Sequence, residues 1–217
     1  MASKIAARPS RNVKCRGKQE AGTARQKAPQ RLYQIRVMLH GHQPAIWRSL
    51  VVPGEVNMGM LHRILQAAMD WSGTQGHYFI AGNVKYSDSK AEIEHSEAVD
   101  ESGASLCEVA PRERDSFTYL YNPGADWECQ ILVEKVSDRV EKFPGYPVCL
   151  DGEAAFPPED CGGIEGYKCM LDAMNDPDGG DDDDLSGWGT EPFDPEAFDL
   201  DEINRRLRRL VLDTRTA

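Results

Sequence analysis

"RLYQIRVMLHGHQPAIWRSLVVPGEVNMGMLHRILQAAMDW", residues 31–71, contains two hydrophobic periods in succession. In its first part β-forming residues alternate with polar ones up to His40-Gly41, and a second apolar run ends at Pro53, so two strands are predicted. After Asn57, a suitable N-cap, the apolar residues recur at helical spacing. This strand–strand–helix start predicts an α+β fold.

The remaining sequence completes a single α+β domain over residues 31–212, with a mixed or antiparallel sheet and packed helices. Turn residues between apolar runs predict hairpins, and spacings of three and four predict helices. The predicted elements are a hairpin at 76–88 with Gly82-Asn83 in its turn, a surface loop at 87–104, a hairpin at 116–136 around Asn122-Pro123-Gly124, a short helix at 166–174 and an amphipathic helix at 202–212.

Charge is distributed unevenly along the chain. Residues 1–30 contain eight Lys/Arg and one acid, a charge of +7, whereas the total is −11, so the other residues carry −18. We predict a disordered basic tail at 1–30 and contact with nucleic acid only through that tail, because the acidic body repels phosphate. Residues 176–202 contain twelve acids and no Lys or Arg. Their spacing does not fit an EF-hand, and a solvated acidic loop is predicted.

No apolar stretch approaches the length of a membrane span, and the first residues lack the apolar core of a secretory signal. The six cysteines, at 15, 107, 129, 149, 161 and 169, form no CxxC pair. We therefore expect a cytoplasmic protein with reduced thiols and no membrane contact.

"FPPEDCGGIEGY", residues 156–167, admits three interpretations: a stiff corner, a reactive thiol or a metal-binding loop. Two prolines restrict the backbone and Gly162-Gly163 permits positive φ, which favours a rigid corner before a helix. A nucleophilic Cys161 is disfavoured because Glu159 and Asp160 would raise the pKa of its thiol.

A metal site remains open as an alternative. Cys129, Cys149 and Cys161 are candidate ligands for zinc or another divalent metal, although a fourth ligand is not evident. Buried, unreactive cysteines are the preferred interpretation, and no cofactor is predicted. His62 and His77 are interpreted as packed or capping histidines rather than ligands.

Six blocks occur in order: "YQIRVMLHGHQPAIWRSLVVP", "LHRILQAAMDW", "HYFIAG", "YPVCLDG", "PPEDCGGIEGY" and "FDPEAFDLDEIN". Over residues 32–205 they resemble the plasmid pRiA4b ORF-3-like family. The resemblance implies an α+β fold and an ancestry among plasmids and insertion elements, without an assigned biochemical activity.

Departures from the family pattern bear on the site. Asn122, Ala125 and Cys129 stand where the resemblance implies an acid, an acid and a histidine, and Phe156 stands where it implies a cysteine. The matching positions that remain include Trp127. Any acid–base or metal cluster of the relatives is therefore expected to be eroded here.

These observations predict a non-catalytic binding or accessory module rather than an enzyme. The predicted contacts lie around the second hairpin and the corner: Asp126, Trp127, Glu159, Asp160, Cys161 and Tyr167. One alternative is a metal-supported hydrolase or nuclease-like enzyme. Another is a DNA-associated protein that contacts DNA through the basic tail.

Overall fold

The computed structural model of the chain describes residues 31–95, 98–138, 143–175 and 193–216, with side chains as far as residue 210. The predicted basic tail and residues 176–192 of the predicted acidic loop lie outside these ranges. The strands are β1 Leu32–Leu39, β2 Trp47–Pro53, β3 His77–Ala81, β4 Val84–Ser87, β5 Val99–Asp100, β6 Ser116–Tyr121, β7 Trp127–Ser137 and β8 Val148–Glu153. The helices are α1 Met58–Met69, α2 Lys90–His95, α3 Leu106–Val109, α4 Gly163–Asn175 and α5 Leu200–Thr216.

The eight strands form one sheet in the order β5-β4-β3-β6-β7-β1-β2-β8. Every described pairing is antiparallel except that of β4 with β5, so the sheet is mixed. Both predicted hairpins are present, as β3–β4 and β6–β7. The predicted α+β class, with its strand–strand–helix start, is confirmed.

Alternation along the strands places one side of each against the helices. Along β1, Tyr33, Ile35 and Val37 are fully buried, and they share a core with residues of α1, α4 and α5. This period of two is the one that a half-buried strand requires. The core therefore lies between one face of the sheet and the helices.

Helix α1 begins and ends where the sequence indicates. The side chain of Asn57 accepts a hydrogen bond from the Met60 backbone N–H at 2.8 Å, which caps the first turn. At the other end Asp70 adopts the left-handed conformation, with φ 64°. The next residue, Trp71, returns to the core. The cap and the apolar stripe together fix the rotation of the helix against the sheet.

The prediction of a surface loop at 87–104 is wrong. This segment contains α2, β5 and a 3₁₀ turn at Glu101–Gly103, and the turn packs against the start of α1. Glu101 is only 6% exposed and pairs with His77, so a charge that reads as solvated in sequence is buried beside a partner. His77 lies on β3, outside this segment, so the sequence around Glu101 does not indicate that its carboxylate is buried beside a partner.

The prediction of a solvated loop also fails at the end of the acidic segment. Phe193 and Phe198 pack against the core, and the Ala155 backbone N–H donates to Pro195 O at 2.9 Å. Helix α5 then begins at Leu200, earlier than the predicted helix. Aromatic residues among the acids account for this packing, because their burial outweighs the charge of their exposed neighbours.

Helix α5 protects the edge of the sheet. Its Ile203 and Leu207 are buried, as the amphipathic spacing predicts. Between them, the Asn204 amide accepts from the Cys149 backbone N–H at 2.8 Å and donates to Cys149 O at 3.0 Å. A side-chain amide thus occupies backbone groups of β8 that another strand would otherwise pair with.

Candidate functional site

The Pro-Pro corner is fastened to the core by two tryptophans. The indole N–H of Trp71 donates to Pro157 O at 2.8 Å, and that of Trp127 donates to Glu159 O at 3.1 Å. Both rings are buried, so each N–H requires an internal acceptor. The carbonyls of the corner supply it.

Glu159 ties the corner to the loop after α1. Its carboxylate accepts from Ser72 N at 2.7 Å, from Ser72 Oγ at 2.9 Å and from the hydroxyl of Tyr121. Burial opposes ionisation, but the hydrogen bonds from Tyr121 and Ser72 outweigh it and lower the pKa of Glu159. Glu159 therefore acts as an ionised anchor within the fold.

The glycines of the corner meet backbone rather than open space. Gly163 has φ +74°, and a Cβ there would lie 2.1 Å from Ala125 O in the β6–β7 turn. A Cβ on Gly166 would lie 1.8 Å from Cys161 O. These approaches agree with the interpretation of the segment as a stiff corner.

The six predicted contact residues divide by exposure. Trp127, Cys161 and Tyr167 are buried, whereas Asp126 and Asp160 are exposed. Burial raises the pKa of the Cys161 thiol to about 11, and the charge of Asp160 adds to the rise. The three buried residues pack in the core of this structure. Contact of the six residues with a ligand stays a prediction.

The structure does not bring the three candidate metal ligands together. Cys129 lies on β7 and Cys149 on β8, with β1 and β2 between them, a separation of about 14 Å at the usual strand spacing. Within the described residues, no group of three His, Cys, Asp or Glu side chains has the arrangement that a metal ion needs. Burial raises the pKa of Cys149 to about 11 and that of Cys129 further. Both therefore favour the thiol form.

A cavity of about 590 Å³ is lined in part by the loop that follows α1. It is formed by the start of α1, by residues 73–77, and by Asp88 and Glu101. We call it the α1 pocket. Its volume lies within the range of small-molecule sites, about 300–1,000 Å³.

Two stacked histidines form part of the pocket wall. The imidazole rings of His62 and His77 lie 3.6 Å apart with 6° between their planes. His62 Nδ1 is 2.7 Å from the Tyr119 hydroxyl, which also receives the Gln66 amide N–H at 2.7 Å. His77 Nε2 donates to Glu101 Oε2 at 2.9 Å. The result is a continuous buried polar cluster that opens into the pocket.

Burial controls protonation in this cluster. The pKa of His62 is lowered from 6.5 to about 3, mainly by burial and also by electrostatic interaction with His77 and Arg63. Burial also raises the pKa of Tyr119 well above its ordinary value. Near neutral pH, His62 is therefore an uncharged imidazole and Tyr119 an uncharged phenol.

Sequence inspection identifies both histidines as packed residues but does not identify the pocket. They are fifteen positions apart, on a helix and a strand, and Glu101 comes from the segment predicted as a loop. Their convergence depends on how α1 crosses the sheet. The usable signal is the burial of several polar side chains together, which appears only in three dimensions.

Cys129 adjoins this cluster. It is the residue on β7 that pairs with Tyr119 on β6, and it is completely buried. The family resemblance implies histidine at this position. Cys129 therefore places a buried thiol next to the polar cluster, where the resemblance implies an imidazole.

Comparisons with known proteins give consistent results. "Uncharacterized protein y4hQ" of Sinorhizobium fredii is 28% identical over 183 residues, covering 82% of this chain and 91% of that protein. A crystal structure of a protein of unknown function, MM3350 from Methanosarcina mazei Go1, superposes with a TM-score of 0.70 at 29% identity, over 80% of this chain and 97% of the other.

None of the described helices has the length and apolarity needed to cross a membrane.

The family model for the plasmid pRiA4b ORF-3-like protein matches residues 31–202, which includes every strand and the residues of the α1 pocket. This chain belongs to the plasmid pRiA4b ORF-3-like protein family.

Proposed function

We propose that this protein is a non-catalytic binding module whose α1 pocket holds a small polar molecule. The observation that carries the proposal is a buried polar cluster, of which His62, His77 and Glu101 line a cavity of about 590 Å³. Burying polar groups costs free energy unless they are hydrogen-bonded, and a few placed polar groups at a cavity are typical of a ligand site.

Three features favour binding over catalysis. Tyr119 already occupies one nitrogen of His62. The lowered pKa of His62 makes it a weak base near neutral pH. Cys161, the thiol considered as a nucleophile, lies in the core with a raised pKa.

Recovery of the natural ligand is the direct test. The protein is purified from native extract under mild conditions, and released small molecules are identified by mass spectrometry. Thr74→Trp places a large side chain on the exposed lip of the pocket and should abolish recovery, whereas Lys168→Trp on exposed α4 should not. Equal recovery with both variants, or chemical conversion of the recovered molecule by the purified protein, would contradict the proposal.

The His77–Glu101 pair favours one second candidate, metal-free acid–base catalysis. A carboxylate that orients an imidazole is a common arrangement for proton transfer. If this candidate holds, the recovered ligand disappears on incubation with protein, and His77→Gln stops the loss.

The earlier alternative of a metal-supported enzyme is tested by elemental analysis, in which less than one bound metal per several chains argues against it.

The proposal also covers where this protein is located, where its gene originated and what it contacts. The described cysteines are free thiols, which suits the reducing cytoplasm. The family description suits an origin among plasmid genes. Contact with nucleic acid is proposed only for residues 1–30, and deletion of those residues should remove any salt-sensitive DNA binding.

A further inference from the structure

We infer that the α1 pocket selects an uncharged ligand whose polar edge carries a hydrogen-bond acceptor beside a donor, as a carboxamide does. This inference rests on the proposed function, because it specifies the ligand of the same pocket. It follows from the direction of the hydrogen bonds in the buried cluster, which fixes what the pocket wall presents.

The donor is Nε2 of His62. The Gln66 amide N–H donates to the oxygen of the Tyr119 hydroxyl, and the buried hydroxyl hydrogen requires an acceptor, which Nδ1 of His62 supplies at 2.7 Å. Nδ1 is then an acceptor, and the neutral ring carries its hydrogen on Nε2. A Cβ on Gly73 in the pocket wall would lie 3.6 Å from that nitrogen, which places Nε2 at the pocket.

The orientation of the Gln66 amide supports this direction. As it stands, one buried atom, Oε1, has no partner. The reversed amide would leave its NH₂ group, with two donors, buried without a partner. An unpaired buried carbonyl oxygen costs less free energy than two unpaired buried N–H donors, so the observed orientation of the amide is favoured.

The acceptor is Oε1 of Glu101. Oε2 of Glu101 receives the hydrogen of His77 Nε2, because a carboxylate oxygen accepts and an imidazole N–H donates. Oε1 lies beside Gly59 in the first turn of α1, where a Cβ would be 2.8 Å away. Both Gly59 and Glu101 line the pocket, so Oε1 is the oxygen presented to a ligand.

The donor and the acceptor belong to one cluster, because the His62 ring stacks on the His77 ring at 3.6 Å and His77 Nε2 is hydrogen-bonded to Glu101 at 2.9 Å. The other charged residues of the pocket are Arg63 and Asp88, of opposite sign. With Glu101 included, the wall carries two carboxylates and one guanidinium, and it offers a donor and an acceptor to a ligand. A carboxamide satisfies both groups, whereas a carboxylate would meet Glu101 with like charge and an ammonium group would leave the His62 N–H without an acceptor.

The first test concerns the protein alone. Long-range proton–nitrogen NMR spectra near neutral pH should show His62 as the neutral tautomer with its hydrogen on Nε2. Tyr119→Phe removes the hydroxyl that fixes this state and should allow the other tautomer to appear. Observation of the Nδ1–H tautomer or of a charged imidazole in the unmodified protein overturns the inference.

The second test uses three probes of similar size: benzamide, benzoate and benzylamine. Benzamide should shift the His62 and His77 resonances saturably and should bind at least about tenfold more tightly than the charged probes. Glu101→Gln exchanges the acceptor for a donor and should weaken benzamide binding about tenfold or more. Asp172→Asn makes the same change of charge at an exposed position of α4 and should leave benzamide binding unchanged.

The outcomes separate this inference from the function on which it rests. Tighter binding of benzoate or benzylamine at the same resonances overturns the carboxamide class while retaining a ligand pocket. No shift with any probe up to its solubility also overturns the class, and recovery of a ligand sensitive to Thr74→Trp then still decides the function. Selective binding of benzamide that depends on Glu101 supports the inference.

Discussion

Replacing Gly163 with alanine tests whether the corner is held by backbone contact. The residue has φ +74°, and its added Cβ would lie 2.1 Å from Ala125 O and 3.1 Å from Ala125 C. Both atoms belong to the main chain of the β6–β7 turn, so no side-chain rotation relieves the contact. The corner and the turn must separate by about 1 Å to restore a normal contact distance.

The expected loss of stability has two parts. Alanine in the left-handed conformation costs about 1–2 kcal/mol. Separation of the corner from the turn also weakens the bonds that Glu159 makes with Ser72, Tyr121 and Trp127, at about 1 kcal/mol each. Gly163→Ala should therefore lower the free energy of unfolding by about 3–5 kcal/mol.

Two other glycines isolate the steric part. Gly82 and Gly145 also have positive φ, but a Cβ on either would meet no atom within 4 Å. Their alanine variants should lose only about 1–2 kcal/mol. Urea unfolding followed by tryptophan fluorescence measures all three variants. A loss for Gly163→Ala equal to that of the two controls would refute the contact with Ala125 as a determinant of the corner.

Three further perturbations are predicted. Glu159 has a lowered folded pKa, because hydrogen bonds from Ser72 and Tyr121 outweigh burial, so its contribution is complete above pH 4.5 and is lost as the pH falls below it. Glu159→Gln should remove that part of the pH dependence of unfolding. His62 has its pKa lowered from 6.5 to about 3, so the unfolded chain binds the extra proton and stability should fall as the pH drops from 6.5 towards 3. Urea titrations at successive pH values would contradict this if stability stayed level in that window. Asn204→Ala exposes the edge of β8 and should cost about 1–3 kcal/mol, with self-association detectable by sedimentation; an unchanged midpoint and a monomer would argue against edge protection.

The sequence by itself determines the α+β class and most of its elements. The alternation in β1 and the capped apolar stripe of α1 are local signals, because they arise from the geometry of one strand and one helix. The glycines at the corner are also readable, since positive φ and close approach restrict a position to glycine. The acidic neighbours Glu159 and Asp160 also predict that Cys161 is unreactive. In the structure, burial rather than the neighbouring charge is the larger cause of the raised pKa of its thiol.

Only the tertiary structure decides where the candidate site lies. His62, His77 and Glu101 come from a helix, a strand and a turn, and Glu101 reads in sequence as an exposed charge. Nothing in the sequence distinguishes Cys129 from Cys149 as a candidate ligand, yet two strands separate them in the sheet. The physical reason is that burial and hydrogen-bond partners depend on contacts between distant segments. Local composition sets which backbone conformations a segment adopts, but the strand order and the crossing of α1 determine which side chains meet.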